Sequence, residues 1–107
     1  MIKYLKGVAA SKGIVTGPCK IITSLSDLSK IKKGDILVTS MTIPDYLPAM
    51  SICSAIITDE GGLLCHAAIV SRELNIPCIV ATKRATKILK DNQIVIVRAN
   101  DGIIQLF

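Results

Sequence analysis

The sequence predicts an α/β domain with parallel strands at its centre and additional antiparallel strands around them. Three observations carry that expectation. The first third of the chain is rich in β-branched and aliphatic residues with little helical period. The middle reads as strand, glycine loop, helix and strand, running from Ser54 to Ala81, and such units imply right-handed parallel crossovers. The end reads as two aliphatic runs joined by Asn100-Asp101-Gly102, a hairpin signal. The length of 107 residues fits one domain over residues 1–107, with no repeat, low-complexity tract or linker.

Taken in order, residues 4–10 and 14–22 read as strands separated by a Ser11-Lys12-Gly13 turn. Gly17-Pro18 interrupts the second run and suggests a bulge or a sheet edge. Ser24 to Lys30 fits a short helix capped by Ser24, with Leu25 and Leu28 facing inward. Lys33-Gly34-Asp35 turns the chain into the strand Ile36 to Thr39. Pro44 and Pro48 bracket a loop, and a short helix starts near Pro48 because proline suits a first helical turn. Ser54 to Thr58 is apolar without alternation, as in a parallel strand buried on both faces. Gly61-Gly62 supplies a tight loop. A helix follows from about Cys65 to Leu74, with Asn75 as a left-handed cap and Pro77 as a stop. Cys78 to Ala81 is a second buried strand, Ala85 to Lys90 a short helix, and Asp91-Asn92 a turn into Gln93 to Arg98. The last strand is Ile103 to Leu106.

Composition narrows the function classes. Apolar residues make up 50 % of the chain and aromatics 3 %, so the core is aliphatic. The net charge of +5 comes from scattered lysines, which reads as a solvated surface and not a nucleic-acid patch. With few aromatics to stack on bases, single-strand binding is disfavoured too. A positive potential also draws in anionic phosphate donors. The cysteines Cys19, Cys53, Cys65 and Cys78 form no C-x-x-C pair, and one histidine does not complete a usual zinc set. They read as small buried residues of a reducing compartment. No secretory signal and no run of membrane-spanning length stands out, so a soluble cytoplasmic protein with no membrane partner is expected.

His66, the only histidine, falls where the central helix begins. A helix N-terminus presents free N–H groups and the positive end of its dipole, which favour an anion. A neutral imidazole offers a ring-nitrogen lone pair to a phosphoryl group. Phosphoryl transfer demands positioning and charge neutralisation, which the N–H groups from Gly62 to Ala68 can supply. Gly61 and Gly62 let that backbone approach a phosphate closely. Ala67 and Ala68 keep the helix start narrow, so that the histidine can enter another domain's site. Taken alone, a histidine at a helix start is commonly a cap or surface group, and a glycine pair is an ordinary turn. Cys65, beside it, is a candidate reactive thiol, although adjacent side chains at a helix start rarely pair as nucleophile and base. Arg72 lies on a different helix face, where a structural ion pair is expected over phosphate contact. Asp59 and Glu60 either orient the loop or close the strand with charge. There is no GxxxxGK[ST] loop and no carboxylate cluster placed for Mg²⁺, so the chain lacks nucleotide machinery of its own.

Several motifs occur together in order: Gly7 to Gly17; Gly34-Asp35-Ile36-Leu37-Val38; Thr42-Ile43-Pro44-Asp45; Thr58-Asp59-Glu60-Gly61-Gly62; Cys65-His66-Ala67-Ala68-Ile69-Val70-Ser71-Arg72-Glu73-Leu74; Ile76-Pro77; Ala85 to Asp91; and Asp101-Gly102. This pattern, which covers nearly the whole chain, resembles the mobile, swivelling phosphohistidine domain of the phosphoenolpyruvate-utilising enzymes. That family includes phosphoenolpyruvate synthase, pyruvate phosphate dikinase, Enzyme I of the sugar phosphotransferase system and rifampicin phosphotransferase. The resemblance implies a three-layer β/β/α swivelling domain with a parallel central sheet. It makes His66 the phosphocarrier and places Gly61, Gly62, Cys65 and Ala67 in the loop that stabilises the phosphate. It implies no cofactor or metal bound by this domain itself. Mg²⁺ and ATP or phosphoenolpyruvate belong to partners: an ATP-grasp nucleotide-binding domain and a phosphoenolpyruvate-, pyruvate- or acceptor-binding domain, in cis or in trans.

Departures from the family pattern are informative. Leu64 stands where many members carry a threonine that a regulator phosphorylates, which implies that this control is absent. Leu63-Leu64 resembles the antibiotic-phosphotransferase branch more than the dikinases. Ala81 and Asn92 stand where glycines are usual, Arg98-Ala99 replaces a common Asp-Gly, and Lys12 replaces a common proline. Two other classes remain open from sequence: a non-phosphorylated interaction or regulatory module that keeps the fold, and a thiol-dependent enzyme using Cys65.

Overall fold

Alternation along the strands sorts the aliphatic residues into two cores on either side of one sheet. The computed structural model describes residues 3–107. Its strands are β1 (Tyr4–Lys6), β2 (Val8–Ser11), β3 (Ile14–Ile22), β4 (Ile36–Thr39), β5 (Ala55–Thr58), β6 (Cys78–Val80), β7 (Ile94–Arg98) and β8 (Ile103–Leu106). The helices are α1 (Leu47–Ile52), α2 (His66–Leu74) and α3 (Ala85–Ile88), with 3₁₀ turns at Leu25–Lys30 and Pro44–Tyr46.

The strand order is β1-β8-β7-β3-β4-β5-β6-β2. β3, β4, β5 and β6 pair in parallel, while β1, β8, β7 and the first half of β3 pair antiparallel. Along β4, β5 and β6, Ile36, Val38, Ala55, Ile57 and Ile79 point to one side. There they meet Leu5, Val95, Val97 and Ile104 of the antiparallel layer. Leu37, Ile56, Cys78 and Val80 point the other way, against Met50 of α1 and Ala67 and Ala68 of α2. The result is the expected three-layer β/β/α arrangement, in which both faces of β4 and β5 are buried. Burying a side chain such as Ile56 contributes about 2 kcal/mol.

β3 belongs to both sheets. Ile14 to Pro18 pair with β7, and from Cys19 onward the strand pairs with β4. Pro18, which has no N–H to donate, sits at the switch, where one flank of the strand is still unpaired. The expected edge is therefore local, and no bulge occurs there. The bulge lies in β2, where Ala9 and Ser11 oppose Ile79 and Cys78 and Ala10 is the extra residue.

Other expectations are corrected. Residues 4–10 are not one strand: β1 and β2 lie at opposite ends of the strand order, separated only by Gly7. The Leu25–Lys30 segment is a 3₁₀ turn whose Leu25 is 51 % exposed. Only Leu28 packs on the helix-side core, because so short a segment rests on little besides β3 and the Pro44–Tyr46 turn. Pro44 and Pro48 do not bracket a loop: Pro44 opens a 3₁₀ turn that runs straight into α1. α3 stops at Ile88, where Leu89 turns extended and donates back to the Ala85 carbonyl. Asn75 is the expected left-handed cap (φ 58°), its N–H donating to the Ser71 and Arg72 carbonyls.

Candidate functional site

The parallel order delivers the site. β5 ends at Thr58, and its chain continues beside β4, with the N–H groups of Asp59 and Glu60 donating to the Thr39 and Ser40 carbonyls. The Ser40 hydroxyl donates to the Glu60 carboxylate at 2.7 Å. Asp59 accepts from the Thr86 amide and hydroxyl at the start of α3. Both acids therefore orient the loop; they do not merely end the strand.

The segment after β6 clasps the same loop from the far side. Ala81, Thr82 and Lys83 donate their N–H groups to the carbonyls of Glu60, Thr58 and Asp59. This inversion is made with two non-glycine residues at positive φ, Ala81 at 58° and Lys83 at 72°. Left-handed backbone costs an ordinary L-residue about 1–2 kcal/mol, a cost that a glycine at position 81 would avoid. Ala81→Gly is expected to stabilise the chain by about 0.5–1 kcal/mol after glycine's own entropic cost. Thermal melting checks this, with a rise of a few degrees as the expected sign.

Beyond Glu60 the chain turns at Gly61, whose φ is +107°. A Cβ there would sit 2.7 Å from the Cys65 Sγ, whereas nothing lies within 4 Å of one on Gly62. The pair is therefore asymmetric. Gly61→Ala is expected to destabilise the chain by about 2 kcal/mol, and Gly62→Ala by well under 1 kcal/mol; parallel denaturant titrations of the two variants check the difference. The Cys65 N–H closes a turn on the Gly62 carbonyl at 3.1 Å, and the Cys65 carbonyl accepts the first helical bond from Ile69. Cys65 is thus the N-cap of α2 and His66 its first residue, and no side chain caps the helix start. The first-turn N–H groups remain available to an anion.

His66 is half-buried, and its Nδ1 lies 2.7 Å from the Thr42 Oγ1. Thr42 is itself buried in the loop between β4 and the Pro44–Tyr46 turn. Together they border a cavity of about 210 Å³ lined by Met41, Thr58, Glu60, Gly61, Cys65 and Ala67. A hydroxyl accepting from Nδ1–H leaves the lone pair on Nε2, the nitrogen then able to attack an electrophile. Among the described residues the His66 ring is hydrogen-bonded to Thr42 and not to the Cys65 thiol. Burial pushes the Cys19 and Cys53 thiols up to about 12 and the Cys78 thiol up to about 11. Those three are buried as expected, whereas Cys65, expected to be buried with them, is partly exposed. Among the described residues no three His, Cys, Asp or Glu side chains gather as metal ligands.

Of the expected loop residues Gly61, Cys65 and Ala67 line the cavity beside His66 and Gly62 does not, and two roles change. The Ala67 and Ala68 side chains are buried in the helix-side core, so their small size lets α2 approach the sheet. Arg72 makes no ion pair; it donates to the Ala10 carbonyl at 2.9 Å and the Leu63 carbonyl at 2.6 Å. Thr42 had no role on the sequence alone, because 24 residues separate it from His66. Its only signal was membership of the Thr42-Ile43-Pro44-Asp45 segment.

Fold and site together define a three-layer β/β/α domain that presents one histidine at an uncapped helix start. Residues 31–102 match the family described as PEP-utilising enzyme, mobile domain, and the chain belongs to that family. It is 57 % identical over 100 residues to a probable phosphoenolpyruvate synthase of Archaeoglobus fulgidus. It is equally similar to one of Methanothermobacter thermautotrophicus. Each alignment covers 94 % of this chain but only 13 % and 15 % of those relatives, respectively. The solution structure of an Enzyme I protein superposes with a TM-score of 0.62 at 28 % identity, over 72 % of this chain and 32 % of that one. Among the described residues no helix is long and apolar enough to cross a membrane.

Proposed function

We propose that residues 1–107 form one swivelling domain in which His66 carries a phosphoryl group between two sites outside this chain. The observation that supports this reading most directly is the 2.7 Å contact between Thr42 Oγ1 and His66 Nδ1. It orients the ring, and with Thr42 accepting from Nδ1–H the lone pair left for phosphorus is on Nε2. In the transfer, the Nε2 lone pair forms the N–P bond as the P–O bond to the leaving group breaks, and Nδ1–H stays on Thr42. The carried phosphoryl oxygens then meet the N–H groups of the loop and the first turn of α2.

The donor site is an ATP-grasp-type domain with Mg²⁺ and ATP. The acceptor site binds pyruvate and releases phosphoenolpyruvate, as the names of the relatives suggest. Their high identity weighs toward that branch over the antibiotic phosphotransferases suggested by Leu63-Leu64. The setting is the cytoplasm. Intact mass and ³¹P NMR test the reading, after incubation with a phosphoenolpyruvate synthase lacking its own mobile domain plus ATP or phosphoenolpyruvate. The expected result is an acid-labile gain of one phosphoryl group. No gain from either donor would favour a docking module without phosphoryl chemistry.

A further inference from the structure

The loop that carries the site has few ties to the rest of the molecule. Among the described residues, hydrogen bonds from the backbone of residues 61–64 number two: the Gly62 carbonyl to the Cys65 N–H, within the loop, and the Leu63 carbonyl to Arg72. Apolar packing does not replace them, since Leu63 is 53 % and Leu64 85 % exposed. The Arg72 contact is thus the one hydrogen bond reaching from this stretch to the body of the domain.

Its other end meets the bulge in β2. Ala10 is the extra residue there and has no partner position on β6, so its carbonyl is turned out of the ladder. The Arg72 Nη1 takes that carbonyl at 2.9 Å while Nη2 takes Leu63 at 2.6 Å. A planar guanidinium with fixed, divergent donors bridges two carbonyls in one geometry; an ammonium does not impose such a geometry. No carboxylate competes, because the ion pair among the described residues is Lys30–Asp91, elsewhere.

We propose that Arg72 is a positioning residue for phosphoryl transfer at His66, holding loop 61–64 in register with the helix start by tying it to the edge strand β2. The inference rests on the phosphocarrier reading of His66. Arg72 touches neither His66 nor the cavity beside it. It acts through the loop, whose N–H groups must face the phosphate, and small misplacements of such groups lower rates steeply.

The test uses this chain with Arg72→Met and Arg72→Lys. Backbone order is followed by ¹⁵N relaxation, and His66 phosphorylation is followed by mass spectrometry with phosphoramidate, which releases ammonia as the N–P bond forms. Arg72→Met should lower the order parameters of the Gly62, Leu63 and Leu64 amides from about 0.85 to about 0.6 or below, with β4 and β5 amides unchanged. It should also slow phosphorylation by about 10-fold or more. Arg72→Lys should fall between the two in both readouts. Unchanged loop order would overturn the proposal, as would a uniform loss of order across all amides, which marks a merely structural role. If the parent chain takes no phosphoryl group from phosphoramidate or from the partner enzyme while its loop order responds to Arg72, the phosphocarrier reading has failed, and this assignment fails with it.

Discussion

His66→Ala is expected to reduce phosphoryl acceptance to background, a loss of at least about 10⁴-fold, while leaving the fold intact. The size follows from the role: removing the group that forms the N–P bond leaves no alternative, because the chain has no second histidine. The fold should survive because the side chain is only half-buried and its one hydrogen bond runs to Thr42. Thr42→Val sharpens the reading. It keeps the shape of Thr42 but removes the hydroxyl bonded to Nδ1, so transfer should slow on the order of 10²-fold with Nε2 still present. Single-turnover phosphorylation of the three proteins by one donor, with circular dichroism as a control, checks the ranking. A His66→Ala protein that still gained an acid-labile phosphoryl group would end the carrier reading. A Thr42→Val protein as fast as the parent would remove Thr42 from the mechanism.

The largest effect on stability is expected at Gly7. An ideal Cβ there would lie 2.5 Å from the Val80 carbonyl oxygen and 2.6 Å from the buried Ile79 Cγ2. Neither obstacle is the free end of an exposed side chain. The first is backbone of β6 and the second sits between the two sheets. Gly7 also donates its N–H to the Gly102 carbonyl at 2.9 Å. At this one residue the chain passes from β1 at one end of the strand order to β2 at the other. Gly7→Ala should therefore cost about 3 kcal/mol, at the upper end of overpacking penalties. For a domain of this size that is a fall in melting temperature of roughly 12–24 °C. Differential scanning calorimetry decides it, and a fall of only a degree or two would show that the corner relaxes.

The hidden weight of Gly7 shows where sequence reasoning stops. The apolar run before it read as one strand, because a local window registers propensity and not the partner that each half meets. Elements whose local pattern and burial agree were legible: β4 and β5 from unbroken aliphatic runs, α2 from its glycine entry and Asn75 exit, and the last hairpin from Asn100-Asp101-Gly102. Leu25 misled for the opposite reason. Its spacing suits a helix, but too little of the domain covers it to bury the turn.

The sequence by itself determined the α/β class, the family, the aliphatic core, and a lone histidine at a helix start behind two glycines. These are local or compositional properties, carried by residue type and spacing. Only the tertiary structure decided that Thr42 holds His66, that Arg72 joins Leu63 to a bulge in β2, and that Ala81 is strained to grip Glu60. Each joins residues 9 to 62 positions apart. Their meeting depends on which strands become neighbours and on the register they adopt, which no local window records.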